Sequence, residues 1–221
     1  MSNQNEMDQE RILQAARAYA HAQLANDPTG HDWHHVERVT RLAVHIAQEE
    51  GAGTFVVELT ALLHDIADYK LVSDPQQAMN DVRAWLASQG ADEGLIGKIV
   101  QIIEAMSFKG ADTVLMSTPE GQIVREADLL DAMGAIGIAR TFTYGGSIGR
   151  PIHNPEEAPR QQMTEAEYKS HQTTTIAHFH EKLLKLRDLM STATAKRLAA
   201  HRHTFLEGFL SEFEAEWKGE R

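Results

Sequence analysis

Cysteine is absent from this 221-residue sequence, which excludes disulfides, thiolate metal sites and cysteine nucleophiles together. Long apolar runs are missing too. Nothing approaches the roughly 18 consecutive apolar residues that a membrane-spanning helix needs, so no membrane association is expected. Basic residues are outnumbered, 21 Lys and Arg against 32 Asp and Glu, and the net charge of −11 argues against a nucleic-acid partner. The opening MSNQNEMDQE is polar and acidic and carries no secretory or transit pattern; with the lack of cysteine, this leads us to expect a cytoplasmic protein. Histidine, by contrast, is plentiful at twelve, more than a bland domain needs.

Sustained alternation of apolar and polar residues is also lacking, so strands are not expected. Helical spacing runs almost throughout. Residues 10–24 place Ile12, Leu13, Ala16, Tyr19 and Ala20 on one face. Asp32 reads as the N-cap of a helix through Trp33, Val36, Val39, Ala43 and Ile46, closed by Gly51 and Gly53. A more apolar helix is expected over 55–69, and another opens at Asp74-Pro75 and stops at Gly90. Residues 92–107 form a further buried helix, and Thr118-Pro119 starts one expected to reach about Ala139. The glycine- and proline-rich stretch 143–160 reads as one long loop, of a length that is functional or disordered in a compact domain. Thr164 and Glu167 make a capping box opening a helix to about Met190, and a last helix covers 194–217. The expected fold is an all-α, compact, single-domain helical bundle over 1–221, with 164–217 completing its core.

The segment ALLHDIADYK, residues 61–70, puts His64 and Asp65 at the end of an apolar run. An ionised carboxylate there is costly unless it is paired or bound to a metal. Either Asp65 reaches the surface at a turn, or something cationic waits for it. Asp128, on a helix whose apolar face includes Ile123, Ala127, Leu130 and Ile138, raises the same question. Upstream, HDWHHVERV supplies His31, His34 and His35 at a helix start. One of these histidines with His64, Asp65 and Asp128 would make a set of two imidazoles and two carboxylates, a donor mixture suited to divalent manganese, iron, cobalt, nickel or zinc. Adjacent helical residues point about 100° apart, so His64 and Asp65 can share an ion only at the edge of their helix. The plainer alternatives are a surface histidine at 34 or 35 and an Asp128 paired with Arg125.

The blocks GHDWHHVERV, ALLHDI, EADLLDAMGAIGIAR and HFHEKLLKLRDLMSTATAK resemble the HD-domain metal-dependent phosphohydrolases, whose pattern is a histidine, then His-Asp, then a distant aspartate. They resemble most closely a bacterial subgroup of small HD hydrolases, over about residues 15–217. That resemblance implies an HD-type bundle and a metal held by His35, His64, Asp65 and Asp128, with His35 rather than His34 in the slot three after Asp32. Glu126 stands where the subgroup pattern leads us to expect aspartate. The implied cofactor is one divalent metal ion, manganese first, with iron, cobalt, nickel, zinc or magnesium as other candidates. Such an ion acidifies bound water and polarises a phosphoryl group.

The implied partner is a small phosphorylated substrate, a nucleoside tri- or diphosphate cut at the α-phosphate to leave the monophosphate. Asp68, three residues after Asp65 and on a neighbouring part of the same face, matches an acidic residue of related HD nucleotidases and would handle the water's proton; otherwise it is an exposed charge. Lys109, Arg140 and Lys182 are the candidate phosphate-binding cations, and the 143–160 loop, with Arg150 and His153, could close over a polyphosphate tail. Three alternatives are a 5′-nucleotidase acting on monophosphates, a metal-stabilised regulatory module without turnover, and a two-iron oxygenase. The last uses further histidines before the final aspartate, and residues 66–127 contain none.

Overall fold

Six helices begin on side chains that accept one of the otherwise unpaired first-turn amides. Asp32 accepts from His35 N–H at 2.9 Å, Asp74 from Gln77 at 3.0 Å, Asp92 from Leu95 at 2.8 Å, Thr118 from Gly121 at 3.1 Å, Thr174 from Ala177 at 3.2 Å and Thr192 from Ala195 at 3.2 Å. The computed structural model describes residues 2–25, 30–68, 71–106, 116–160 and 173–221. These form α1 (Ser2–Leu24), α2 (Trp33–Glu49), α3 (Thr54–Leu63), α4 (Pro75–Ser88), α5 (Glu93–Met106), α6 (Pro119–Asp131), α7 (Gly134–Ser147), α8 (Thr175–Glu181), a 3₁₀ helix (Leu183–Leu189) and α9 (Ala193–Trp217). No strand occurs among the described residues, as the lack of alternation implies, and the fold is all-α. No described helix is long and apolar enough to cross a membrane.

The chain divides into two compact units, the first holding described residues 2–25, 31–106 and 116–127, the second Gly30 and described residues from 128 onward. In the first, α3 packs on α1, α2 and α5, and α4 on α5. Its core gathers Leu13, Ala16 and Ala20 of α1, Val36 of α2, Leu59, Leu62 and Leu63 of α3, and Ile96, Ile99 and Ile103 of α5. The apolar spacings read above are therefore core faces. In the second unit α9 packs on α7 and on the 3₁₀ helix. Phe142, Phe179 and Phe209 meet there at centroid separations of 5.5–6.0 Å, and Phe213 and Trp217 continue the row along α9.

Several boundaries differ from the sequence expectation. α3 stops at Leu63 rather than near Tyr69, because the chain tightens into turns in which Ile66 N–H donates to Leu63 O and Asp68 N–H to Asp65 O. The helix expected from Thr118 to Ala139 is two helices. Gly134, at φ +67°, breaks it, and a side chain at Gly137 would put its Cβ 2.3 Å from the carbonyl oxygen of Ala132. α7 then runs to Ser147, so the loop starts at residue 148. Gly145 is a helical glycine whose Cβ would lie 2.6 Å from Thr175 Oγ1.

The capping box at Thr164 and Glu167 lies outside the described residues. Beyond it, the expected continuous helix to Met190 is α8 followed by the 3₁₀ helix, because the backbone leaves helical geometry at Lys182 (φ −132°, ψ −61°). Leu183 and Leu186, three apart, then share the buried face that a three-residue turn provides.

The 148–160 segment is fastened rather than loose. Thr175 and Ile176 N–H groups donate to the Pro151 and Ile152 carbonyls at 2.9 Å each. Arg160 grips the buried Glu181 through Nε (2.9 Å), Nη2 (3.0 Å) and its own backbone N–H (3.0 Å). Burial alone would raise the Glu181 carboxyl, but Arg160 and the Thr173 hydroxyl more than offset it and hold the group below the ordinary glutamate range. A depressed folded-state pKa contributes stability above the unfolded value, and that stability is lost as pH falls through the folded one. Arg160→Met leaves the buried carboxylate without its cation and should cost about 3 kcal/mol at neutral pH. The deficit should shrink on acidification as Glu181 protonates. Urea unfolding at pH 7, 5 and 4 checks this, and a gap that does not change with pH would contradict it.

Candidate metal centre

His35 occupies the first turn of α2 because Asp32 caps that helix, and its ring is fully buried. His64 is the C-cap of α3, and its Nδ1 lies 2.8 Å from the Ala61 carbonyl oxygen. A carbonyl only accepts, so Nδ1 carries a proton, and in the neutral ring it is Nε2 that holds the lone pair. Asp65 follows in the tight turn, where the end of α-helical bonding at Leu63 lets both side chains of the His-Asp pair serve one point. His35 Nε2 lies 3.2 Å from Asp65 Oδ2, and His64 Nε2 lies 3.3 Å from Asp65 Oδ1. One ligand atom from each residue falls within 4.8 Å of the others, and all three residues are buried.

The buried His64 Nε2 and Asp65 Oδ2 have no hydrogen-bond partner. A lone pair facing a carboxylate in a dry site is unfavourable unless a cation joins them. The donor set of imidazole nitrogen and carboxylate oxygen, with the His64 tautomer fixed from behind by a carbonyl, fits a divalent transition metal. Burial pushes the Asp65 carboxyl up, yet His64, His35 and His31 together draw it well below the ordinary aspartate range. Asp65 is therefore an anion despite its burial.

The other expected residues fall as follows. His34, next to His35, is three-quarters exposed and meets Glu37 at 3.0 Å, away from the cluster. Asp68 is half-buried at the end of the turn, its N–H on the Asp65 carbonyl at 3.1 Å. Asp128 is half-buried, one turn before the end of α6, in the second unit. Lys109 lies outside the described residues. Lys182 is half-buried where α8 gives way to the 3₁₀ helix. Arg140 already donates to two acceptors, the Gly30 carbonyl at 2.8 Å through Nε and Asp131 at 3.1 Å through Nη1.

Two features escaped sequence reasoning. His31, left without a role, sets its ring edge-on to His35 at 5.7 Å and acts on the Asp65 charge. Asp131, only 1% exposed, is a buried carboxylate that the spacing D-x-x-D after Asp128 could have flagged.

The cluster makes a metal-occupancy prediction. Purified protein should carry about one divalent metal per chain, and Asp65→Ala should lose it. His35→Ala should lose it as well, whereas His34→Ala should keep it. Elemental analysis of the three variants decides, and equal metal in wild type and Asp65→Ala would contradict the site.

Comparison with known proteins bears on the same residues. The family model described as HD domain matches residues 32–133, a span that includes His35, His64, Asp65 and Asp128. The uncharacterized protein YpgQ of Bacillus subtilis is 35% identical over 205 residues, 92% of each chain. A crystal structure of YpgQ in complex with ADP superposes with a TM-score of 0.74 at 33% identity, covering 92% of this chain and 97% of that one. A Lactobacillus plantarum crystal structure is 42% identical, with a TM-score of 0.87 over 95% of this chain and 98% of that one. An HD-superfamily hydrolase from Bacillus thuringiensis is 37% identical, with a TM-score of 0.74 over 95% of this chain and 98% of that one.

Proposed function

We propose that this chain, which belongs to the HD-domain family and is an HD-superfamily hydrolase, is a metal-dependent phosphohydrolase that cuts nucleoside tri- or diphosphates at the α-phosphate. The observation that carries this reading is the buried convergence of His35, His64 and Asp65, whose ligand atoms lie within 4.8 Å of one another while His64 Nε2 and Asp65 Oδ2 have no hydrogen-bond partner. The ADP in the YpgQ crystal belongs to that protein; carried over by likeness, it favours a nucleotide here. A divalent ion held by His35, His64, Asp65 and, on the family pattern, Asp128 would supply an acidified water and an electrophile for a phosphoryl oxygen.

The chain's own groups do the remaining work. The His64 tautomer is fixed by Ala61, so its Nε2 needs no reorganisation to act as a donor. Asp65 stays ionised because imidazoles surround it. Asp68, tied by its backbone to Asp65, takes the proton that the attacking water releases. That attack forms a P–O bond at the α-phosphorus and breaks the bond to the bridging oxygen. The leaving group is pyrophosphate from a triphosphate and phosphate from a diphosphate. Lys182 and Lys109 are the cations we assign to the phosphate tail.

Hydrolysis in ¹⁸O-labelled water places the cut. Label in the nucleoside monophosphate is the expected result, and label only in inorganic phosphate or pyrophosphate would overturn it. Faster release of phosphate from monophosphates than from triphosphates would make the enzyme a 5′-nucleotidase instead. Asp68→Asn should keep full metal occupancy and lose about a hundredfold or more in turnover, as loss of a proton-handling group does. Steady-state rates within twofold of wild type would return Asp68 to an ordinary surface charge.

A further inference from the structure

The segment DAMGAIGIAR, residues 131–140, folds into a clasp. α6 ends at Asp131, three residues beyond Asp128 and so on a neighbouring part of the same helical face. Gly134 turns the chain through positive φ, and Gly137, without a side chain, lets α7 begin close against the Ala132 carbonyl. One further stretch of α7 brings the Arg140 guanidinium back to Asp131, Nη1 to Oδ2 at 3.1 Å. Asp131 is only 1% exposed, and its charge faces Arg202 as well as Arg140. The same guanidinium donates through Nε to the Gly30 carbonyl at 2.8 Å. Gly30 sits at φ +89°. The next two residues in the chain are His31 and the cap Asp32. A second arginine, Arg202 of α9, donates to the Leu130 carbonyl, so the last turn of α6 is held from two sides.

Arginine suits this position for a geometric reason. Its planar fork satisfies a carbonyl and a carboxylate along fixed directions, whereas a lysine ammonium is a single point charge on a flexible stem. Two of the five N–H donors of Arg140 are committed in this way, and swinging the fork round to embrace a phosphate would break its bonds to both Gly30 and Asp131.

We propose that Arg140 is a positioning residue, not a substrate ligand: it fixes the last turn of α6 and the Gly30 turn, and acts on turnover through Asp128 and through the Asp32–His35 helix start. This rests on the reading of Asp128 and His35 as metal ligands given above.

The test uses the full chain with Arg140→Ala, Arg140→Lys, Asp131→Asn and the Arg140→Ala/Asp131→Asn pair. Manganese binding is read by electron paramagnetic resonance of the free ion. The constants kcat and KM are measured with ATP and with bis(4-nitrophenyl) phosphate, a small ester without a polyphosphate tail. Arg140→Ala should weaken manganese binding roughly tenfold, in the range seen when outer partners of metal ligands are removed. It should lower kcat by a similar factor on both substrates, with KM for ATP little changed. Arg140→Lys should recover only part of the loss, and the double variant should be no worse than the poorer single one. A rise in KM for ATP alone, with ester hydrolysis and manganese binding intact, would overturn the proposal in favour of direct phosphate contact. A fall in Tm with metal affinity and kcat intact would overturn it in favour of a purely structural role. Failure of the wild type to bind manganese or cleave either substrate would instead sink the phosphohydrolase reading. Hydrogen exchange at residues 30–32 then decides the positioning role by itself: it should quicken in Arg140→Ala, and unchanged exchange would overturn it.

Discussion

The cost of holding the Asp65 carboxylate ionised away from water organises the first unit. A largely apolar α3 delivers the residue to the interior, and the stop at Leu63 turns it toward two imidazoles instead of into Leu62 and its neighbours. Each histidine is set by a backbone device: a cap at Asp32 for His35 and a carbonyl at Ala61 for His64. A hydrophobic helix end, one cap and one tight turn are enough to build the cluster. They are local features, which is why such a centre can be specified by a few short blocks of sequence.

The acidic balance of the protein has a counterpart in how its arginines are used. Arg160 and Arg140 each face a buried carboxylate, Glu181 and Asp131, and Arg202 closes on a helix-end carbonyl. Burial makes these cations structurally expensive to remove, because an unpaired carboxylate in the interior is worse than either partner exposed. All three arginines are half-buried, so their stems pack while their heads pair. The second unit is thus held by charge pairing as well as by its aromatic row.

Much of this was legible in the sequence. The helical periods, the caps at Asp32 and Asp74, and the buried His-Asp pair were readable because each is encoded within a few residues. What could not be read depends on approach between segments. Gly137 looks like a tolerated helix interruption until the Ala132 carbonyl is seen against it. Gly145 counts toward a loop by composition, yet it belongs to a helix that needs room for Thr175. Arg140 reads as a free cation near a loop because the sequence does not show Asp131 and Gly30 folding back to it. His35, by contrast, stands four residues before Val39 and eight before Ala43, on the face that α2 buries, while His34 is left in solvent.

The aromatic row of the second unit makes the molecule optically divisible. Of its three tryptophans, Trp33 meets His21 and Trp85 stacks on Tyr19, both in the first unit, while Trp217 ends the Phe209–Phe213 row in the second. Emission from Trp217 therefore reports on a different body of structure from the other two. The difference spectrum between the native chain and a Trp217→Phe variant isolates the second unit without any added label. With no cysteine in the background, a single thiol-linked dye placed in either unit would give an equally clean second channel. Whether the two units melt together or in sequence thus becomes a question of two colours in one cuvette.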